Sequence, residues 1–138
     1  LTGKNPPKYL NAEFNRLRIL DASGNWVEAS NGTSITVRTN SPVKAQVSIG
    51  NTQEATWLAP QEQVTKPGDV FLQTTDDSDV VGRWPLPSET PYLSDAEFGE
   101  LILVEGITSG VRVELRMVAD RRTSFGEKRS FMLHPNLD

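Results

Sequence analysis

The 138-residue chain contains no cysteine. That absence removes thiol catalysis, zinc ribbons and disulfide staples, and leaves no redox mark of a compartment. Histidine occurs once, at His134, and no motif marks a serine nucleophile, so a catalytic triad is not expected. No Gly-rich loop signals a phosphate site. No apolar run approaches the ~20 residues that span a bilayer as a helix, and the opening LTGKNPPKYL has no signal-peptide core, so membrane insertion is not expected. The first residue is Leu1 instead of Met, from which a removed leader or larger parent is expected. No long helix is signalled, whereas 10 Gly and 9 Pro suit a chain of many turns.

What is present is strand periodicity. Val111, Val113, Leu115, Met117 and Ala119 alternate with Arg112, Glu114 and Arg116, the pattern of a strand with one dry and one wet face. Leu101 to Val104 precede it as an apolar run, and EGITSG joins the two. After a polar connection at Asp120 to Gly126, Phe131 and Leu133 resume the alternation, which predicts an antiparallel hairpin. Val37, Val47, Leu103, Val113, Leu115 and Phe131 are expected to share one core. The length is enough for one domain with a core of its own.

In chain order, Leu1 to Glu13 carry Pro6-Pro7 and little periodicity and read as an extended N-terminal arm (1–13) before a sandwich domain (14–138). FNRLRIL places Leu17 and Ile19 on one face, and DASGN turns the chain into the short return NWVEAS. Ile35 and Val37, then Val43, Ala45, Val47 and Ile49, alternate on either side of Asn40-Ser41-Pro42, which predicts a second hairpin. Asn51 to Phe98 holds short strands at Glu54–Leu58, Asp69–Thr75 and Val80–Trp84, a loop from Pro85 to Tyr92, and a helical turn at Ser94 to Phe98 capped by Ser94 with Glu97 three residues on.

ITVRTNSPVKAQVSIG resembles the B to C hairpin of fibronectin type III domains, above all those fused to bacterial extracellular enzymes and purple acid phosphatases. EGITSGVRVELRMVADRR is similar to the family's passage from strand E to strand F. Val37 and Val113 stand where that family usually has a core tryptophan and a corner tyrosine. The resemblance implies an all-β, immunoglobulin-like (fibronectin type III-like) antiparallel β-sandwich, with an inserted segment between its C and E strands.

Charge is unevenly spread. From Asp69 to Glu105 nine acidic residues stand against Arg83 alone, while the whole chain carries a net charge of −4. Such a distribution fits head-to-tail contacts between copies, or an acidic face that holds cations. Asp77 and Asp79 alternate as calcium ligands do, without the glycine and distal glutamate of an EF-hand; calcium is the one cofactor weighed, and none is required. Trp57, Trp84 and Tyr92 are the aromatic residues that could stack on sugar rings. Arg121 and Arg122 flank the last hairpin tip, where they could meet a protein partner; with no nucleic-acid motif and a negative net charge, nucleic acid is not expected.

Two functions follow as expectations. One is a non-enzymatic structural or assembly module, such as a virion decoration or surface-filament protein. It would bind copies of itself or a host lattice through the arm anchors Tyr9, Leu10 and Phe14 and through Arg121 and Arg122. The other is an extracellular accessory carbohydrate-binding module of a secreted enzyme, using Trp57, Trp84 and Tyr92.

Overall fold

A computed structural model of the chain describes residues 10–53, 55–59, 69–120 and 123–136. Among these it is all-β, with two sheets and no helix. Its strands are Ala12–Leu20 (β1), Trp26–Glu28 (β2), Ser34–Arg38 (β3), Val43–Asn51 (β4), Val70–Thr74 (β5), Arg83–Pro85 (β6), Asp95–Val104 (β7), Val111–Ala119 (β8) and Thr123–Asn136 (β9). One sheet has the order β2-β1-β4-β7 and the other β3-β9-β8-β5-β6. Neighbours pair antiparallel except β3 and β9, which run parallel from Ser34↔Met132 to Arg38↔Asn136.

Period-two alternation builds the core. Leu17 and Ile19 from β1, Val47 and Ile49 from β4, Leu72 from β5, Leu115 and Met117 from β8, and Phe125 and Phe131 from β9 belong to one buried cluster. Val37, Val47, Leu103, Val113, Leu115 and Phe131, expected in one core from their periodicity, are each 2% exposed or less. Each such side chain, fully buried, contributes ~1.5–3 kcal/mol of transfer free energy.

Several local expectations are corrected. β3 and β4 do not form a hairpin: β3 lies beside β9 in one sheet and β4 between β1 and β7 in the other. The connection crosses between sheets, with Asn40 at φ 55° and its N–H donated to the Ile107 carbonyl at 2.9 Å. Alternation is the same for a hairpin and for a crossing, because each strand buries one face either way. The Ser94–Phe98 helical turn is instead the start of β7, with Asp95 opposite Gly50 and Ala96 opposite Ile49. Burial of Ala96 at period two against the open edge of β4 prevails over a capping pattern worth about 1 kcal/mol. Of the strand expected over Glu54–Leu58, the described residues 55–58 hold a single bridge, Trp57↔Thr90. The last connection is tighter than expected, since β9 begins at Thr123 and takes Gly126 into the strand.

The N-terminal boundary also moves. β1 begins at Ala12, and Leu10 and Phe14 are buried in the sandwich's own core. Phe14 donates its N–H to Glu127 Oε1 at 2.8 Å and packs under the Arg129 guanidinium, 5.2 Å from the ring centre. Arg129 in turn donates to the Ala29 carbonyl at 2.8 Å, tying β9 to the first sheet.

Candidate interaction surface

β7 is the outer strand of its sheet and pairs with β4 alone among the described strands. Its solvent face is acidic from its start to its middle, where Asp95, Glu97 and Glu100 are all exposed. The sandwich has a different chemistry at each end of this strand.

Before β7, Pro91 to Ser94 form a tight turn in which the Ser94 N–H donates to the Pro91 carbonyl at 3.0 Å. The third residue of this turn is Leu93, at φ 65°. Such a turn ordinarily takes Gly or Asn there, because a Cβ in the left-handed region costs roughly 1–2 kcal/mol. Buried Asn51 over-determines the conformation. Its carbonyl accepts the Leu93 N–H at 2.9 Å and its N–H donates to the Ser94 carbonyl at 3.0 Å. Its side-chain amide donates to the carbonyls of Ala55 and Thr90 at 2.8 and 2.9 Å. The turn is thereby held rigid with Tyr92 half exposed and Leu93 74% exposed.

At the far end of β7, Ile102, Leu103 and Val104 line a groove of about 400 Å³ with Val81 and Trp84 from the margin of the other sheet. Trp84 lies opposite Leu72, on the inward side of β6, and its ring covers Gly82 so closely that a Cβ there would sit 2.5 Å from it. Val81 is 93% exposed and Ile102 39%. With Leu58, next to the Trp57–Thr90 bridge, Tyr92 and Leu93, these complete the exposed large apolar side chains among the described residues.

The outer face of the five-stranded sheet is polar and internally paired. Buried Glu114 accepts the Thr75 hydroxyl at 2.7 Å and the Arg112 guanidinium at 3.0 Å. The Thr75 hydrogen bond, aided by positive Lys128 and Arg112, holds its carboxyl below the usual range against the opposing effect of burial. Arg83 stacks on the Phe71 ring, 3.5 Å from its centre, and pairs with Asp120 at 2.6 Å.

The structure separates the residues that the sequence proposed as sites. Tyr9, Arg121 and Arg122 lie outside the described residues, and Leu10 and Phe14 are core residues instead of free anchors. Trp57, expected on the surface, is fully buried and meets Phe125 edge-on at 5.5 Å, because the Trp57–Thr90 bridge draws it inward. Trp84 is half-buried and Tyr92 exposed, but they stand at opposite ends of β7, roughly 25–30 Å apart at ~3.3 Å per residue. They form no common platform. Asp79 is committed to the fold: its carboxylate accepts the Arg112 N–H at 2.8 Å and its own N–H donates to the Arg112 carbonyl at 2.8 Å. Asp77 is exposed, and among the described residues no three His, Cys, Asp or Glu side chains are grouped to hold a metal ion. Val81, Leu93 and Ile102 were not singled out in the sequence, where each reads as one more strand or loop aliphatic.

Comparison with known proteins finds no family model that matches the chain and no significantly similar curated protein.

Proposed function

We propose that this sandwich is a non-enzymatic structural or assembly module, such as a virion decoration or surface-filament protein, which binds copies of itself or a host lattice along the β7 edge. One observation carries this reading: the exposed large apolar side chains of the described residues gather beside the two ends of a single free edge strand. Scattered single exposures need no explanation, whereas apolar side chains paired at each end of one edge strand, Tyr92 and Leu93 among them held by a strained turn, point to contact. We further infer an immunoglobulin-like arrangement of the strands. It is supported by β1 and β3, which divide the first part of the chain between the two sheets, with β3 running parallel to the last strand. Under the alternative of a carbohydrate-binding module, Tyr92 would have to act without either tryptophan beside it.

The test is sedimentation velocity of the full chain from micromolar to millimolar concentration, beside a version starting at Leu10 that keeps every described core residue. Concentration-dependent association of the full chain is expected, with equal melting temperatures for the two versions. A full chain that stays monomeric throughout would refute self-assembly.

A further inference from the structure

We propose that Asn31–Gly32 is a self-modification site, at which the chain converts Asn31 through a succinimide to aspartate or isoaspartate, and that the packing of this turn against β9 gates the reaction. The proposal goes beyond the assembly reading and is independent of it. Asparagine followed by glycine occurs once in the chain, and it lies in the exposed turn that leads into β3. Glycine matters here because no Cβ hinders the approach of its nitrogen to the neighbouring side-chain carbonyl. The turn is closed by the Thr33 N–H on the Ser30 carbonyl at 3.0 Å and by the Ser30 N–H on Thr33 Oγ1 at 3.0 Å, with Gly32 at φ 82°.

The reaction begins when solvent hydroxide takes the Gly32 amide proton and the nitrogen attacks Asn31 Cγ. The new C–N bond closes the succinimide ring, the Cγ–Nδ2 bond breaks, and Nδ2 takes a proton from water and leaves as ammonia. Water then adds to either ring carbonyl and breaks its bond to the Gly32 nitrogen, which regains a proton. Opening at Cγ gives aspartate. Opening at the main-chain carbonyl gives isoaspartate, whose main chain runs through Cβ and Cγ and is one carbon longer. Water is consumed, ammonia is released, and nothing is oxidised or reduced.

The fold blocks the opening step. Gly32 donates its N–H to the Ser130 carbonyl at 2.9 Å, and Asn31 Oδ1 accepts the Ser130 N–H at 2.8 Å. The Ser130 N–H alone would polarise the side-chain carbonyl toward attack. The Gly32 hydrogen bond decides against it, because there is no nucleophile until that proton is lost, and a proton held on a carbonyl is withheld from solvent. The same clip fixes the Asn31 side chain against Ser130, whereas attack requires it to turn toward the Gly32 nitrogen. Reaction therefore waits for the turn to open from β9, where the Met132 N–H on the Thr33 carbonyl at 2.8 Å is the next bond in line. Asn31 and Gly32 are exposed, so solvent reaches them as soon as the clip parts.

The experiment incubates the full chain and Thr33→Val at mildly alkaline pH, each folded and in urea. Conversion of Asn31 is followed by peptide mapping with mass spectrometry and by enzymatic methylation of isoaspartate. Thr33→Val removes the acceptor of the Ser30 N–H and leaves both reacting residues in place. In urea the two chains should convert at one rate. The folded parent should convert at least about tenfold more slowly than in urea, and folded Thr33→Val about 2- to 10-fold faster than the folded parent, as loss of one hydrogen bond allows. No conversion at Asn31 in urea overturns the site. Equal rates folded and in urea, or a folded Thr33→Val no faster than the folded parent, overturn the gate. The products give a second readout. Asn31→Asp keeps an oxygen for the Ser130 N–H and should melt with the parent. Protein aged in urea and refolded, rich in isoaspartate, should melt lower, because the lengthened main chain no longer sets that oxygen and the Gly32 N–H against Ser130 together. Equal melting of the aged protein and Asn31→Asp overturns the clip.

Discussion

Gly126→Ala should cost the sandwich about 2–4 kcal/mol, far more than the same change at another glycine with positive φ. Gly126 sits inside β9 at φ 78°, and a Cβ on it would lie 2.7 Å from both the Cβ and the N of Ala12 and 2.9 Å from the Ala12 carbonyl oxygen. Two of those atoms are backbone, so relief requires β1 to move away from β9, and with it the Phe14–Glu127 hydrogen bond. An alanine in the left-handed region costs ~1–2 kcal/mol. Forcing a methyl into a closed contact adds ~1–3 kcal/mol, and the stiffer unfolded chain returns ~0.4–1 kcal/mol.

Gly24 supplies the control, because it has φ 86° and an added methyl there would meet nothing within 4 Å. Gly24→Ala therefore carries the dihedral cost without the contact, a net of about 0.5–1 kcal/mol. At ~2.1 cal/mol/K of unfolding entropy per residue, each kcal/mol lowers the melting temperature of a chain of this length by about 3–4 °C. Circular-dichroism melts should thus place Gly126→Ala roughly 10 °C below the parent and Gly24→Ala within about 4 °C of it. Equal losses for the two variants would refute the close approach of β1 to β9, and with it the path by which the chain enters the core at Leu10.

The core role of Trp57 predicts that Trp57→Ala costs about 3–5 kcal/mol in urea unfolding. Trp57→Phe should cost markedly less, because the indole N–H it removes is buried without a partner among the described residues; an Ala variant as stable as the parent would contradict the buried position. Glu114→Gln should cost about 1–2 kcal/mol at neutral pH through its charge-assisted hydrogen bonds. The folded protein holds this carboxyl below the ordinary value of 4.5, so in acid the unfolded chain takes up the proton first. The contribution is complete above pH 4.5 and is lost as the pH falls below it, so the gap between parent and variant should narrow on acidification. Denaturant midpoints measured against pH check this, and a gap independent of pH would refute it.

Strands whose own pattern is long enough were legible. Val111 to Ala119 alternate over nine residues, enough to fix a strand and its dry face, and Val113, Leu115, Met117 and Ala119 are buried as the period requires. Pairing was not legible where the partner is distant in sequence: nothing in Ile35 and Val37 distinguishes a neighbour at Val43 from one at Leu133, because both leave the same face buried. Ser94 and Glu97 carried a true local signal that lost to β4, whose open edge lies far upstream. Trp57 was misplaced for a related reason. Burial of a loop aromatic depends on the single bridge to Thr90, and Asn51, which anchors that region, has no sequence mark of its role. Leu93 is the extreme case, since a leucine gives no hint of a positive φ, and only the hydrogen bonds of Asn51 impose it.

The chemistry of β7 then bears on how its edge is kept from pairing. An edge strand invites pairing with another chain, and charge along it is a common protection. Here Asp95 at the start of the strand and Glu97 and Glu100 within it protect the edge, and the ladder shifts register where Val47 and Ser48 of β4 face Gly99 and Glu97, which further spoils the edge as a template. Ile102 and Val81 on one side and Tyr92 and Leu93 on the other are left uncharged and exposed. On the proposed assembly reading, charge that opposes lateral pairing of β7 leaves these apolar side chains as the contacts. A distribution that only kept the edge soluble would have no reason to hold a leucine in a conformation that costs it ~1–2 kcal/mol.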